Sequence, residues 1–225
     1  MNLSAVEKVL EHLNSGKFEE AVELLKFERE KLILNDKGAK HNELKGVKNY
    51  LKRAEKDGRV VNKALYTVQE DTDGKPFICD GFSLVKWHEP QEWLNAFAHT
   101  PQVVSVQASK LIPAMYDCKE HRVTAEEKLV LKNLDKYIKL YKDGKFSNIK
   151  LFDRYWDANL LKGVLDIIGT DIEYVYTRSS IHISCEPIVM YEETKTAMAL
   201  PIRMDNNESI DTRYNEFVKQ LKERV

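Results

Sequence analysis

Twice along this chain of 225 residues an amphipathic helical pattern gives way to short strand patterns, at 39–87 and again at 155–204. That order constrains the fold more than any other feature. Helices followed by antiparallel strands bury their apolar stripes by packing as one layer on one side of a sheet, which defines an α+β class. In the first block, Leu44, Val47, Leu51 and Ala54 recur at helical spacing over 39–56, and Asp57-Gly58 ends the run. Strand texture follows at Ala64–Glu70 and Phe77–Trp87. Asp71-Thr72-Asp73-Gly74 predicts a tight turn between them, and Asp80-Gly81 reads as a bulge inside the returning strand. In the second block a strand at Asn148–Phe152 precedes a helix expected over 155–168 and stopped by Gly169. Strands are expected at Ile172–Thr177, Ile181–Met190 and Thr196–Met204, and the alternation in Ile181-His182-Ile183-Ser184-Cys185 suits a sheet with one buried face.

The flanks are helical. Ser4 with Glu7 fits a capping box, and Val6, Val9, Leu10 and Leu13 form a stripe up to Asn14-Ser15-Gly16. Phe18, Ala21, Val22, Leu25 and Leu32 resume it, so 4–34 reads as a helical hairpin; no second copy follows a repeat length later. Pro90 and Pro101 bracket a short helical segment at 91–98, and 103–117 favours no element. A long helix is expected at 124–141, with Val130, Leu134, Tyr137 and Tyr141 on one face and Lys128, Lys132, Lys136 and Lys139 on another. Ile210, Tyr214, Phe217 and Leu221 mark a last helix at 208–223. The expected organisation is a hairpin over 1–36, an α+β domain over 37–205 with a helical insertion around 105–145, and a C-terminal helix over 206–225.

Charge enters through its placement. Lys and Arg number 35 against 36 Asp and Glu, a net of −1, which excludes a chain that is basic throughout. Residues 37–63 nevertheless hold nine Lys or Arg against three acids, a local +6. A helix that presents ammonium groups along one face neutralises successive phosphates without reading bases. His41, Lys45, Lys48, Lys52 and Lys56 run as a stripe along the helix at 39–56, and the other reading of it and of the lysine face at 128–139 is a solvated outer face. Trp87, Trp93 and Trp156 lie in apolar contexts outside the basic run, which favours core packing over base stacking.

Catalysis has little to stand on. Cys118 and His121 stand three apart, but no further Cys or His pair completes a zinc site. His182 and Cys185 would point to opposite faces of their strand, and Asp153, Asp157 and Asp166 do not form a facing pair. No phosphate-cradling glycine loop, nucleophile elbow or paired-histidine motif occurs. No catalytic residue, metal or cofactor is expected. Three cysteines (Cys79, Cys118, Cys185) are too few for a disulfide framework. No apolar run is long enough to span a bilayer and the first residues show no export signal, so the cytoplasm is the expected compartment.

Several residue runs resemble one family. Phe152-Asp153-Arg154-Tyr155-Trp156-Asp157-Ala158-Asn159-Leu160-Leu161, Leu165-Asp166-Ile167-Ile168-Gly169 and Ala199-Leu200-Pro201-Ile202-Arg203-Met204 look like the last module of bacterial and phage sliding clamps, the β-subunit of DNA polymerase III. Leu51–Lys56 with Arg59–Tyr66, and Cys79-Asp80-Gly81-Phe82-Ser83-Leu84-Val85, are similar to the first helix and strands of clamp-like proteins. The resemblance covers about 39–87 and 147–204. It implies a non-catalytic replication processivity factor of two related halves, assembled as a homo-oligomeric ring around duplex DNA. By position Lys45, Lys48, Lys52, Arg53 and Lys56 would face the DNA backbone. Leu200, Pro201, Ile202, Arg203 and Met204 would border a groove for polymerase or clamp-loader-type proteins. The sequence departs from the family in three places. Lys162 is the lone base of the second helix, beside Asp157 and Asp166; the hairpin at 4–34 has no clamp counterpart; and twenty-one residues follow Met204. One clamp-type domain per chain would also need six copies for a six-domain ring. The alternative is a protein-interaction module on the same fold that binds no DNA and offers the hairpin and the last helix to partners.

Overall fold

A computed structural model describes residues 3–22, 24–25, 41–57, 67–71, 73–97, 99–100, 118–142, 147–178, 187–202 and 207–223. The fold is α+β. Helix α1 is Leu3–Asn14, and the chain is helical again at 18–22 and 24–25. Ser4 lies inside α1 rather than at its cap. The helix ends at Gly16, whose φ of 73° lets the Lys17 amide reach back to His12 O (2.8 Å) and the Gly16 amide to Leu13 O (3.1 Å).

Helix α2 is His41–Asp57, followed by strands β1 (Val68–Glu70), β2 (Pro76–Cys79) and β3 (Ser83–Trp87). Asp71–Lys75 is a turn, as its residues predict. Asp80-Gly81, expected to be a bulge in one strand, instead reverses the chain and makes two strands, with Cys79 opposite Leu84. The Asp80 carboxylate takes the amides of Phe82 (2.9 Å) and Ser83 (2.7 Å), and Gly81 supplies a φ of 85°. A self-capped Asx turn with a permissive residue is enough to end a strand there.

A one-turn 3-10 segment (Glu92–Ala96) and the two-residue β4 (His99–Thr100) follow. After β5 (Cys118–Arg122) comes α3 (Ala125–Lys132), then α4 (Leu134–Leu140). The single helix expected at 124–141 is thus two, broken at Asn133, whose side-chain amide donates to Leu129 O (2.9 Å). Strands β6 (Asn148–Leu151) and β7 (Arg154–Asp157) form a hairpin, and α5 is Ala158–Ile168. Residues 155–157, expected in the helix, are strand instead. Phe152 (φ 54°) and Asp153 (φ 57°) make a two-residue turn, and Asp157 caps α5 by accepting the Asn159 amide (3.0 Å). Strands β8 (Tyr174–Arg178), β9 (Ile188–Glu192) and β10 (Lys195–Ala199) and helix α6 (Glu208–Lys222) complete the described chain. Residues 181–186 of the expected strand Ile181–Met190 lie outside the described residues, as do 203–206 beyond β10.

Eight strands form one sheet in the order β4-β1-β2-β3-β10-β9-β8-β5, antiparallel except for the short β1–β4 edge. The sequence order of one helix and three strands therefore occurs twice, and the two sets meet where β3 pairs with β10. Alternation sorts their side chains. Ile78, Val85, Trp87, Ile188, Met190, Ala197 and Ala199 join Val47, Tyr50, Leu51, Leu161, Val164 and Leu165 in the main core under α2 and α5. Phe77, Cys79, Leu84, Val189 and Met198 make a second buried cluster on the opposite face. Trp87 and Trp156 are buried as expected, and Trp93 packs edge-on to Trp87 at 5.9 Å. No helix among the described residues is long and apolar enough to cross a membrane.

Candidate nucleic-acid interface

Two glycines set how α2 and α5 meet. Gly46 lies against the Asp166 carbonyl, and Gly163 lies against the Arg53 guanidinium. As α2 advances from 46 to 53, its neighbours on α5 run from Ile167 back to Asn159, so the two helices are antiparallel and closely apposed. Inward, Tyr50 is fully buried and donates to Ser83 O (2.8 Å); burial, with Asp80 and Cys79 nearby, pushes its phenol well above the usual tyrosine range. Glu43 accepts from the Trp87 indole (2.9 Å) and pairs with Lys195 (3.2 Å), tying the first turn of α2 to β3 and β10.

Outward, Lys45, Lys48 and Lys52 are exposed and share one face of α2. They span about 10 Å of helix axis at 1.5 Å per residue. The side chain of Lys56 lies outside the described residues. Arg53 does not join them. Its guanidinium donates to Asp80 (3.0 Å) and to Asn159 O (2.6 Å), bonding α2 to the β2–β3 turn and to the start of α5. Cys79, beside that turn, is buried, and its thiol is pushed up to about 11 chiefly by that burial, so it stays protonated at neutral pH.

The second lysine stripe does not extend the first. Lys132, Lys136 and Lys139 are exposed on α3 and α4, but α5 lies between, and its Lys162 is engaged by Asp135 (3.5 Å) and Asp166. Leu200, Pro201 and Ile202 are half-buried. The Leu200 amide donates to Phe82 O (2.9 Å) and the Ile202 amide to Tyr155 O (2.8 Å), so this stretch already bridges the β2–β3 turn and β7. Arg203 and Met204 lie outside the described residues. The Tyr155 hydroxyl donates to Asp211 (3.0 Å) and accepts from the Asn207 amide (2.9 Å), which fixes where α6 begins. The apolar face of α6 turns inward: Ile210, Phe217, Val218 and Leu221 are buried, with Phe217 edge-on to Tyr137 at 5.2 Å.

A polar cavity of about 250 Å³ lies beside α6, lined by Glu127, Lys150, Phe152, Asp153, Asp211 and Tyr214 among others. Glu127 completes a capping box with Thr124 that the sequence shows as Thr124-x-x-Glu127 but the reading above passes over. Its carboxylate accepts from the Thr124 amide (2.8 Å) and hydroxyl (2.9 Å), from His121 (3.2 Å) and from the Phe152 amide (3.1 Å). Burial opposes ionisation, but those hydrogen bonds outweigh it and hold the carboxyl below its ordinary range. Glu127 is therefore a structural anchor and not an available acid or base. A lowered folded value means its contribution is complete above the unfolded carboxylate range and is lost as pH falls through the folded value. Glu127→Gln is expected to cost about 1–3 kcal/mol at neutral pH. Urea titrations at pH 7 and in the acid range should show the gap between variant and native protein shrinking as pH falls.

Among the described residues, no three His, Cys, Asp or Glu side chains converge as a metal site. The side chain of Cys118, in the Cys118–His121 pair, lies outside the described residues, as do His182 and Cys185 altogether. No family model, curated protein or solved structure matches this chain. The likeness to sliding clamps rests on the short residue runs and on the order of elements.

Proposed function

We propose that this chain is a non-catalytic, clamp-type processivity factor that holds duplex DNA by its backbone, without sequence preference, for polymerase-type partners. The observation that carries the reading is the exposed Lys45, Lys48 and Lys52 face of α2, borne on a platform of two antiparallel helices over a sheet made from two similar halves. A rigid helix layer backed by a sheet can present cations to phosphates at fixed spacing, and the inward bonds of Glu43, Tyr50 and Arg53 keep α2 from rotating. Arg53 is left out of the phosphate-facing set because Asp80 already neutralises it. Leu200, Pro201 and Ile202, beside the β2–β3 turn, remain the proposed border of a partner groove.

A second reading has its own support. The α5 half of the platform offers Lys162 already engaged by two acids, which suits a protein-interaction module that binds no DNA. Its partner surface would be the hairpin, since α6 uses its apolar face internally.

Retention on duplex DNA across a salt series separates the two. Binding by the native protein should weaken steeply with salt, and Lys45→Gln, Lys48→Gln and Lys52→Gln together should reduce the log–log slope by about 3, near 0.9 per phosphate contact. An unchanged slope, or no retention by the native chain at low salt, removes the DNA role and leaves the interaction module.

A further inference from the structure

Helix α6 is seated differently from the two helices of the platform. Gly46 and Gly163 bring α2 and α5 into direct contact, whereas α6 leaves open space along both of its margins. On one side a cleft of about 240 Å³ separates Lys136, Lys139 and Leu140 of α4 from Phe217, Gln220 and Leu221 of α6. On the other lies the polar cavity of about 250 Å³, between Glu127, Lys150 and Asp153 and the α6 residues Asp211, Tyr214 and Asn215. Such space forfeits contacts that a closely fitted helix would make. The ion pairs that tie α6 down are solvated ones. Lys222 meets Glu126 (2.7 Å) with side chains 59% and 38% exposed, and Lys150 meets Asp211 (3.1 Å) with both 34% exposed. Pairs of that kind contribute little in water. The helix also carries its own ends. Asn207 accepts the Ile210 amide (3.2 Å), Glu208 and Asp211 stand in the first turn, and Lys219 and Lys222 stand in the last. Every strand of the sheet and both platform helices precede α6 in the chain, so its departure leaves their connections intact.

We infer that the groove floored by α3, α4 and the β6–β7 hairpin docks an amphipathic helix of a partner protein, and that α6 is the intramolecular occupant holding it closed. Helix α6 is the template for what fits. Its buried Ile210, Phe217, Val218 and Leu221, with half-buried Tyr214, set apolar residues at i, i+4, i+7, i+8 and i+11. Phe217 is the anchor, edge-on to Tyr137 at 5.2 Å and to Tyr141 at 6.3 Å. An acid directly after the first apolar position meets Lys150, and a base directly after the last meets Glu126. A competing helix therefore needs that apolar pattern, an acidic start and a basic end, and it gains by filling the two clefts. Because α6 is tethered, it competes at an effective concentration on the order of 1 mM, and a partner binds weakly until α6 is loosened. The inference goes beyond the DNA reading and uses none of its lysines.

Hydrogen exchange read by mass spectrometry and a peptide titration, both on the full chain, test it. In the native protein the α6 amides should exchange about tenfold or more faster than the slowest amides of α5, because α6 opens without global unfolding. The probe for the titration is a fluorescein-labelled peptide of residues 207–223. It should bind Phe217→Ala protein about tenfold or more tightly than native protein, since the variant weakens the tethered competitor and leaves the groove intact. The same peptide carrying F217A should lose about tenfold or more of that binding. Near-UV circular dichroism checks that the variant folds, and Leu221→Ala replaces it if it does not. Native α6 protected as strongly as α5 overturns the inference, as does a folded variant that fails to bind the peptide. Sedimentation velocity separates out a second copy as occupant. A native dimer that excess peptide dissociates would make this chain its own partner and overturn the assignment to a different protein.

Discussion

Asp80→Ala is expected to lower the unfolding free energy by about 3 kcal/mol, the lower part of the range for removing one partner of a buried ion pair. One oxygen of Asp80 holds the β2–β3 turn through the amides of Phe82 and Ser83 and the Ser83 hydroxyl (3.1 Å). The other takes Arg53. Alanine would leave the buried Ser83 amide without that acceptor and strand a guanidinium against the carbonyls of Asn159 and Leu160. Arg53 keeps 24% of its side chain exposed against 7% for Asp80, and that residual solvation places the loss at the lower end. Arg53→Met removes the charge and keeps the stem, leaving Asp80 its turn donors, so about 1–2 kcal/mol is expected. The double variant should cost less than the two singles added, because no stranded charge remains. Urea midpoints at constant slope give all three values.

Gly46→Ala is the second large effect. A Cβ there would overlap the Asp166 carbonyl oxygen, with the carbonyl carbon 2.7 Å away. Both are main-chain atoms in the last turn of α5, so the helices must separate at that end of their contact. About 3 kcal/mol is expected, at the upper end for overpacking and well above the small gain in helix propensity. Gly163→Ala makes the useful contrast. The nearest atoms to its Cβ would be those of the Arg53 guanidinium, the end of a flexible side chain. The arginine can swing away, so the cost should be about 1–2 kcal/mol, near that of Arg53→Met. Calorimetric melting of both variants checks the order; a Gly163→Ala protein less stable than Gly46→Ala would contradict it.

These two sites also show what was legible in the residues. Helices α2 and α6 and the turn at Asp71–Gly74 follow from apolar spacing and turn chemistry, which act over a few residues. The doubled helix-then-strands order was legible for the same reason. The Tyr155-Trp156 pair runs without a break into the apolar pattern of α5, yet β7 is strand because Arg154–Asp157 pairs with β6. That pairing depends on Phe152 and Asp153 both adopting positive φ, which Asp tolerates but a bulky Phe does not announce. The lysine face of α2 was visible as a stripe. The fate of Arg53 was not, since its partner lies 27 positions away across a turn read as a bulge. Charge runs show where cations are, but only tertiary structure shows which are already neutralised.

The β3–β10 pair sets the order of events as the chain is made. His88 and Thr196, joined at that seam by a hydrogen bond of 2.8 Å, lie 108 positions apart. Strands β1 to β3 can pair among themselves as soon as they emerge, while β3 waits for most of the remaining chain before its other side is filled. At roughly 5–20 residues per second, translation leaves that edge open for several seconds or more. During that interval β3 is a template for any extended strand nearby, including the same strand of a neighbouring nascent chain. Lys86, next to the end of β3 and held by Asp71 (2.8 Å) and Asp73 (3.0 Å) from the turn before β2, places a charge on the waiting strand. The step most exposed to crowding on a polysome is therefore the joining of the two halves.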